Sequence, residues 1–374
     1  MAPKKKSGKK VQPQGLVKCV QHAIKQVQAI SDRITDMKCA TLEEYNDLPE
    51  VKNGPSTPVA TTALVDTLKV VQARCVQAHF FSKTHPITPS AIMTVVKEIE
   101  TSCSTYLIPG VLAWDPKVYT VAFISRIADN IWPMLAVVSR ILTVIPTSPD
   151  KPMATDLEKN MALCVSLLAH HISEFEHDLT LGPRHMFAEK HTTEAKATID
   201  DMIEELAEWK ETSVEGDDSE ESYDCGFDSD DSDEDLQDLV DALTNQGPKM
   251  PKDDREGMCK VIDLCISNSK LISTLYDGIA TFRLATLPDF PLKPEVARRV
   301  DDVIELLDDM NLNIIGQANT FFEMDREELE EDVEAVAEDA EDLFDALMLN
   351  WDGEEDEYTK TLKTLRSSLK RQVE

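Results

Sequence analysis

The chain has 374 residues with 70 Asp and Glu against 38 Lys and Arg, and its formal charge of −32 at pH 7 argues against bare nucleic acid or an anionic membrane as a partner. Its partners are expected to be basic or to use a neutral patch, while a hydrophobic content of 42% supplies core for about two domains of the usual ~100–200 residues. With 12 glycines and no Walker-type or dinucleotide-binding glycine loop, little is present to cradle a phosphate.

Residues 1–14 hold five lysines with Pro and Gly and read as a disordered basic tail. No apolar run follows at signal-peptide distance, so secretion is not expected. Val17, Val20, Ile24, Val27 and Ile34 then share one helical face, and a loop with Pro49, Gly54, Pro55 and Pro58 ends that segment. Thr57 to Phe81 predicts a second helix and Ser90 to Leu107 a third, with Pro89 in its first turn and Pro109-Gly110 as its break. A long fourth helix is predicted from Asp115, kinked at Pro133; its apolar run Ile131–Ile145 contains Arg140 and is too short to span a bilayer, so it reads as buried. Ala154 to Leu179 and Thr193 to Lys210 complete a helical bundle over 15–210.

From Glu211 to Asp241 there are 15 acidic residues and no Lys or Arg, which marks residues 211–250 as an acidic disordered linker. Residues 251–374 return to helical rhythm. Ile262, Cys265, Ser269, Ile272, Tyr276 and Ile279 form one stripe, and Pro294 opens another carrying Val300, Leu307 and Ile314. Leu329, Val336 and Leu343 continue the pattern at heptad spacing. A last helix from Glu357 sets Tyr358, Leu362, Leu365 and Leu369 against Lys360, Lys363, Lys370 and Arg371. The fold class is therefore all-α, as two antiparallel up-and-down bundles joined by the linker.

Heptad stripes serve either a bundle core or a partner helix. Val300, Leu307, Ile314, Leu329, Val336 and Leu343 are the candidate partner-binding residues. The outer face of 327–347 is almost entirely Asp and Glu, so two copies side by side would repel. A basic helix, the chain's own last one or a partner's, fits that face. A monomer or a hetero-complex is expected.

His170, His171, Glu174 and His177 come nearest to a metal constellation, but the ExxH spacing occurs once and these read as surface histidines. Nucleophile signatures are absent and the eight cysteines form no CxxC pair, the usage of reduced thiols. No catalytic residue, cofactor, metal or small-molecule substrate is expected. Ser232 precedes Asp233, Glu234 and Asp235, the context of acid-directed kinases, and with Ser229 it is a candidate phosphorylation site; a plain solubilising spacer is the alternative. PKKKSGKK resembles a nuclear import signal, giving nucleus and cytoplasm as the expected location.

The stretch Ile199, Asp200, Asp201, Glu204, Glu205, Leu206, the Cys259-centred helix with its run Ser267 to Leu271, and Pro294 followed by Val300-Asp301-Asp302 together resemble the cyclin-D-interacting (GCIP-like, Maid-like) family. That resemblance implies paired helical bundles similar to the talin, vinculin and α-catenin rods. It also implies binding to D-type cyclins and other regulators, with dampening of cyclin-dependent kinase signalling and transcription. The heptads here mix Val, Ala, Met and Leu rather than repeating leucine. A non-enzymatic helical adaptor is thus the leading expectation, with an acidic histone chaperone and a vinculin-like cytoskeletal adaptor as alternatives.

Overall fold

The computed structural model describes residues 13–38, 57–84, 87–146, 153–212, 255–323 and 326–373, and every regular element among them is helical. The all-α class follows. Residues 1–12, the loop over 39–56 and most of the expected linker, with Ser229 and Ser232, lie outside the described residues. The described chain divides into two compact units, one comprising residues up to Met186 with Asp289–Asp301, the other Phe187–Pro288 with Asp302–Glu374.

The first unit is built from α1 (Pro13–Lys38), α2 (Thr57–Lys83), α3 (Pro89–Ser102), α4 (Ile108–Leu112), α5 (Pro116–Tyr119), α6 (Val121–Thr143) and α7 (Thr155–Leu181). Leu16, Val27 and Ile34 of α1, Leu68 and Cys75 of α2, Ile92 and Ile99 of α3, Ile124, Ile131 and Leu142 of α6 and Phe175 of α7 are buried at helical spacing. Ion pairs fix directions: Lys69 with Glu176 (2.6 Å) and Lys83 with Glu158 (2.5 Å) run α2 antiparallel to α7. Cys19 to Met93 and His22 to Glu100 run α1 parallel to α3. The break expected at Pro109-Gly110 comes later. A π-helical turn, Cys103–Leu107, widens the backbone ahead of Pro109 and the helical path continues to Leu112.

The fourth predicted helix is divided at Thr120, which has φ +70° and ψ 147° although it is β-branched and fully buried. Such backbone costs about 1–3 kcal/mol. It is held by what surrounds it: Thr120 Oγ1 accepts from the Phe123 N–H (3.0 Å), and the Asp301 carboxylate accepts from the N–H groups of Val121 (3.1 Å) and Ala122 (2.9 Å). A residue from far along the chain therefore caps α6, satisfying donors that a helix start leaves open. The same segment is anchored by the Leu292 N–H on the Val118 carbonyl (2.8 Å) and by Phe290 stacked on Tyr119 (5.8 Å). Beyond this cap, α6 runs through Pro133 without ending there.

By length and composition α6 would suffice to cross a membrane, but Ile127, Ala128, Leu135, Val138 and Ile141 are buried in this unit's core.

The second unit contains α8 (Pro183–Ala188) from Phe187 onward, a π-helical segment (Glu189–Glu194), α9 (Ala195–Thr212), α10 (Arg255–Ile279) with its π-helical extension Ala280–Leu284, α11 (Pro294–Glu323) from Asp302, α12 (Arg326–Leu347) and α13 (Glu357–Val373). The helix expected to close the first bundle is here: α9 lies antiparallel to α10, with Asp200 accepting from Ser273 (2.9 Å), Lys196 near Asp277 (3.7 Å) and Lys210 donating to Asp263 (2.5 Å). Ile199, Met202 and Leu206 bury against that neighbour. The spacing shows that α9 has an apolar face, but not which face it meets.

Arg283 is 1% exposed yet charged. Its guanidinium donates to the Leu347 carbonyl through Nε (3.2 Å) and Nη2 (2.9 Å), to Asp356 through Nη1 (2.7 Å) and Nη2 (3.2 Å), and lies 4.9 Å from the Tyr358 ring centroid. Asp356 also accepts from the Thr359 N–H while Thr359 Oγ1 accepts from the Asp356 N–H, a reciprocal cap on α13. Gly278 lacks a Cβ where the Tyr358 phenol passes, and that hydroxyl donates to Leu275 O (3.2 Å).

Two outcomes are expected from these contacts. Asp301→Ala, which removes the cap of α6, costs about 1–2 kcal/mol in urea unfolding. The Asp356 carboxyl is held below the ordinary aspartate value of 3.8, chiefly by its hydrogen bond from Arg283. A depressed carboxyl contributes stability above that value and loses it as pH falls through the folded one. Wild type therefore loses more melting temperature than Asp356→Asn between pH 5 and about pH 2.

Candidate functional site

The six predicted partner-binding residues are core. Val300 is 1% exposed, Leu307 and Leu343 are fully buried, and Ile314, Leu329 and Val336 are at most 3% exposed. Val300 belongs to the first unit and the other five to the second. No partner reaches them while the chain is folded, since 3–4 apolar spacing describes the inside of the chain's own bundle as well as it describes a docking seam. The candidate phosphorylation sites Ser229 and Ser232 lie outside the described residues.

The histidine group on α7 is at the surface, with His170 3.2 Å from Glu174. Among the described residues no three His, Cys, Asp or Glu side chains converge into a group that could hold a metal. Burial pushes the Cys103 and Cys265 thiols up to about 12 and raises Cys75 further, so these sulfurs stay protonated and unreactive.

The feature with binding character is on α12. Its sequence places Glu327, Glu331, Glu334, Glu338, Glu341 and Asp345 at alternating steps of four and three, one continuous acidic stripe beside a buried apolar one. The two ends of this stripe have different surroundings. At the C-terminal end Arg366 of α13 donates to Glu341 (2.8 Å) and Asp345 (2.5 Å), and Lys370 lies 3.1 Å from Glu341. Hydrogen bonds to Asp345 and then Glu341 raise the already high pKa of Arg366, so the charge is permanent. At the N-terminal end Glu327, Glu330, Glu331 and Glu334 rim a cleft of about 360 Å³ that has Val261 and Leu264 of α10 with Val333 as its apolar lining. Arg326 reaches back to Glu330 (2.8 Å). One turn beyond Leu264, α10 carries Asn268, buried with neither amide atom hydrogen bonded.

The charge pattern had pointed to this face, and the last helix does supply basic groups to half of it. Val261 and Leu264 were missed because the sequence marks them only as apolar positions on a core helix. Four carboxylates around half-buried Leu264 suit a ligand with ammonium or guanidinium groups.

No protein-family model, no curated protein and no solved structure matches the chain.

The pairing of α13 with α12 is testable without a ligand. Arg366→Gln should cost about 1 kcal/mol in chemical unfolding, and the difference from wild type should shrink in about 1 M salt, because the network is only partly shielded from solvent.

Proposed function

We propose that the chain is a non-enzymatic helical adaptor that binds cell-cycle or transcription regulators and, like the cyclin-D-interacting proteins it resembles, dampens cyclin-dependent kinase signalling by occupying a cyclin. The observation that supports this is the acid-rimmed, apolar-floored cleft between α10 and α12. Its concentration of carboxylates suits a segment of a protein partner that carries Lys or Arg. The resembling motifs have structural duties in this chain: Asp301 caps α6, and Ile199 and Leu206 fill the core beside α10. The lysine tail, read as an import signal, would place the adaptor in nucleus and cytoplasm. The uniform sign of the α12 face favours a monomer or hetero-complex over a homodimer.

A second reading draws on the same cleft: carboxylates at this density, with the acidic run 211–241, suit basic histone tails. Calorimetric titration of the purified chain with a D-type cyclin and, separately, with core histones decides between them. Saturable cyclin binding at about micromolar Kd or tighter is expected. A chain folded by circular dichroism that gives no heat with any D-type cyclin overturns the cyclin reading, and tight, salt-sensitive histone binding lost on deleting 211–241 puts the chaperone reading in its place.

A further inference from the structure

The cations of α13 have two directions. Arg366 and Lys370 reach the carboxylates of α12, while Lys360, Lys363 and Arg371 stand exposed on the outward side, at spacings of 3 and 11 residues that close on whole helical turns. After Glu357 the helix holds no acid to balance them. Lys363 meets Glu355 (2.8 Å) at the surface and Arg371 donates to the Ser367 carbonyl, but among the described residues no carboxylate pairs with Lys360 or Arg371. The path of α13 decides what can reach this face. It runs antiparallel to α12, since Asp345 and Glu341 meet Arg366 and Lys370 in reverse order. α10 runs parallel to α12, with Val261 and Leu264 sharing a cleft with Glu327 and Glu334 and Arg283, further on, bonded to Leu347. The last turns of α13 therefore point to the end of the unit where α10 begins at Arg255. α9, antiparallel to α10 through Lys210 and Asp263, finishes there at Thr212.

We propose that the acidic run 211–241 of the same chain docks on the outward face of α13, with its carboxylates against Lys360, Lys363 and Arg371. Charge and attachment both select this occupant. The run has 15 acidic residues and no Lys or Arg, the complement of a face that carries cations. Residues 213–254, which lie outside the described residues, join Thr212 to Arg255, so the run is tethered at the end of the unit toward which α13 points. Tyr358 is bonded to Leu275, 20 residues or about 30 Å along α10 from Arg255. Measured back along the bundle, Arg371 is about 10 Å and Lys360 about 27 Å from the level of Arg255. From Asp241 to Arg255 there are 14 residues, about 46 Å when extended, so the run reaches all of these cations. Tethering also supplies it at an effective concentration on the order of mM, whereas a polyanion from solution must approach a chain of −32. The consequence is a competition: acids held by α13 are given up only to a basic partner that outcompetes it. The inference is independent of the cyclin and histone assignments.

The first test uses the full chain. Carbodiimide coupling at about 50 mM NaCl, with mass spectrometry of the monomer fraction, is expected to give amides between the run and Lys360 or Lys363, at least tenfold fewer at about 300 mM NaCl. The second uses a fluorescein-labelled synthetic peptide of residues 211–241 and anisotropy. The peptide is expected to bind a chain lacking 211–241 at least tenfold more tightly than the full chain, whose own run occupies the face. The triple variant Lys360→Gln, Lys363→Gln, Arg371→Gln, at three exposed positions, removes that binding with an unchanged melting curve.

Coupling to exposed Lys25 or Lys159 as often as to Lys360 and Lys363 overturns the proposal, because a general attraction of opposite charges has no preferred face. So does equal affinity of the peptide for the chain lacking 211–241 with and without the three substitutions. If that chain takes up duplex DNA through the three cations but does not bind the peptide, the face serves an outside polyanion and the proposal falls.

Discussion

The second unit depends on the burial of one guanidinium. Removing Arg283 from water is unfavourable unless its donors are met, and here the Leu347 carbonyl and the Asp356 carboxylate meet them together, with the Tyr358 ring beside the charge. Leu347 is the last residue of α12 and Asp356 stands just before α13, so one side chain ties the end of one helix to the start of the next. The Arg283 carbonyl in turn accepts from the Trp351 indole (2.7 Å), and Thr359 donates to the Met348 carbonyl (2.8 Å), so the connection itself is held at several points. With the turn fixed, the register of α13 along α12 is fixed too.

That register decides what becomes of the acidity. Carboxylates crowded on one helix face repel each other, and the cost is tolerable where cations stand opposite. Arg366 and Lys370 provide them over the C-terminal turns of α12, while the N-terminal turns keep their carboxylates facing a cleft. Of the −32 total charge, residues 211–241 carry −15 and residues 323–345 carry −12, leaving −5 for the rest. The acidity is therefore concentrated in an arm and a helix, and the helix is only half neutralised by its neighbour.

The first unit solves a related problem at the start of α6. Four open N–H groups at a helix start need acceptors, and Thr120 supplies one from its own turn at the expense of an unfavourable backbone. Asp301 supplies acceptors for two more from a distant segment. The stacked pair Tyr119 and Phe290 and the Leu292 to Val118 hydrogen bond hold that segment in position to do so. Long-range capping of this kind makes the strained residue tolerable only in the assembled unit.

The sequence by itself determined which stretches are helices, because apolar residues three and four apart bury one side whatever they meet, and it determined that α12 and α13 are electrostatic complements. It also placed α7's histidines on the surface and Ile131 to Ile145 in a buried helix. It did not say where a helix packs. The apolar face of α9 reads the same whether it closes the first bundle or packs on α10, and Val300, Leu307 and Ile314 read the same as core or as docking seam. Those questions turn on which faces are free once all the helices are present. Tertiary structure alone decided that Thr120 divides α6 from α5, that Asp301 caps it and that Arg283 is buried rather than exposed, since each is a meeting of residues that helical periodicity leaves unconnected.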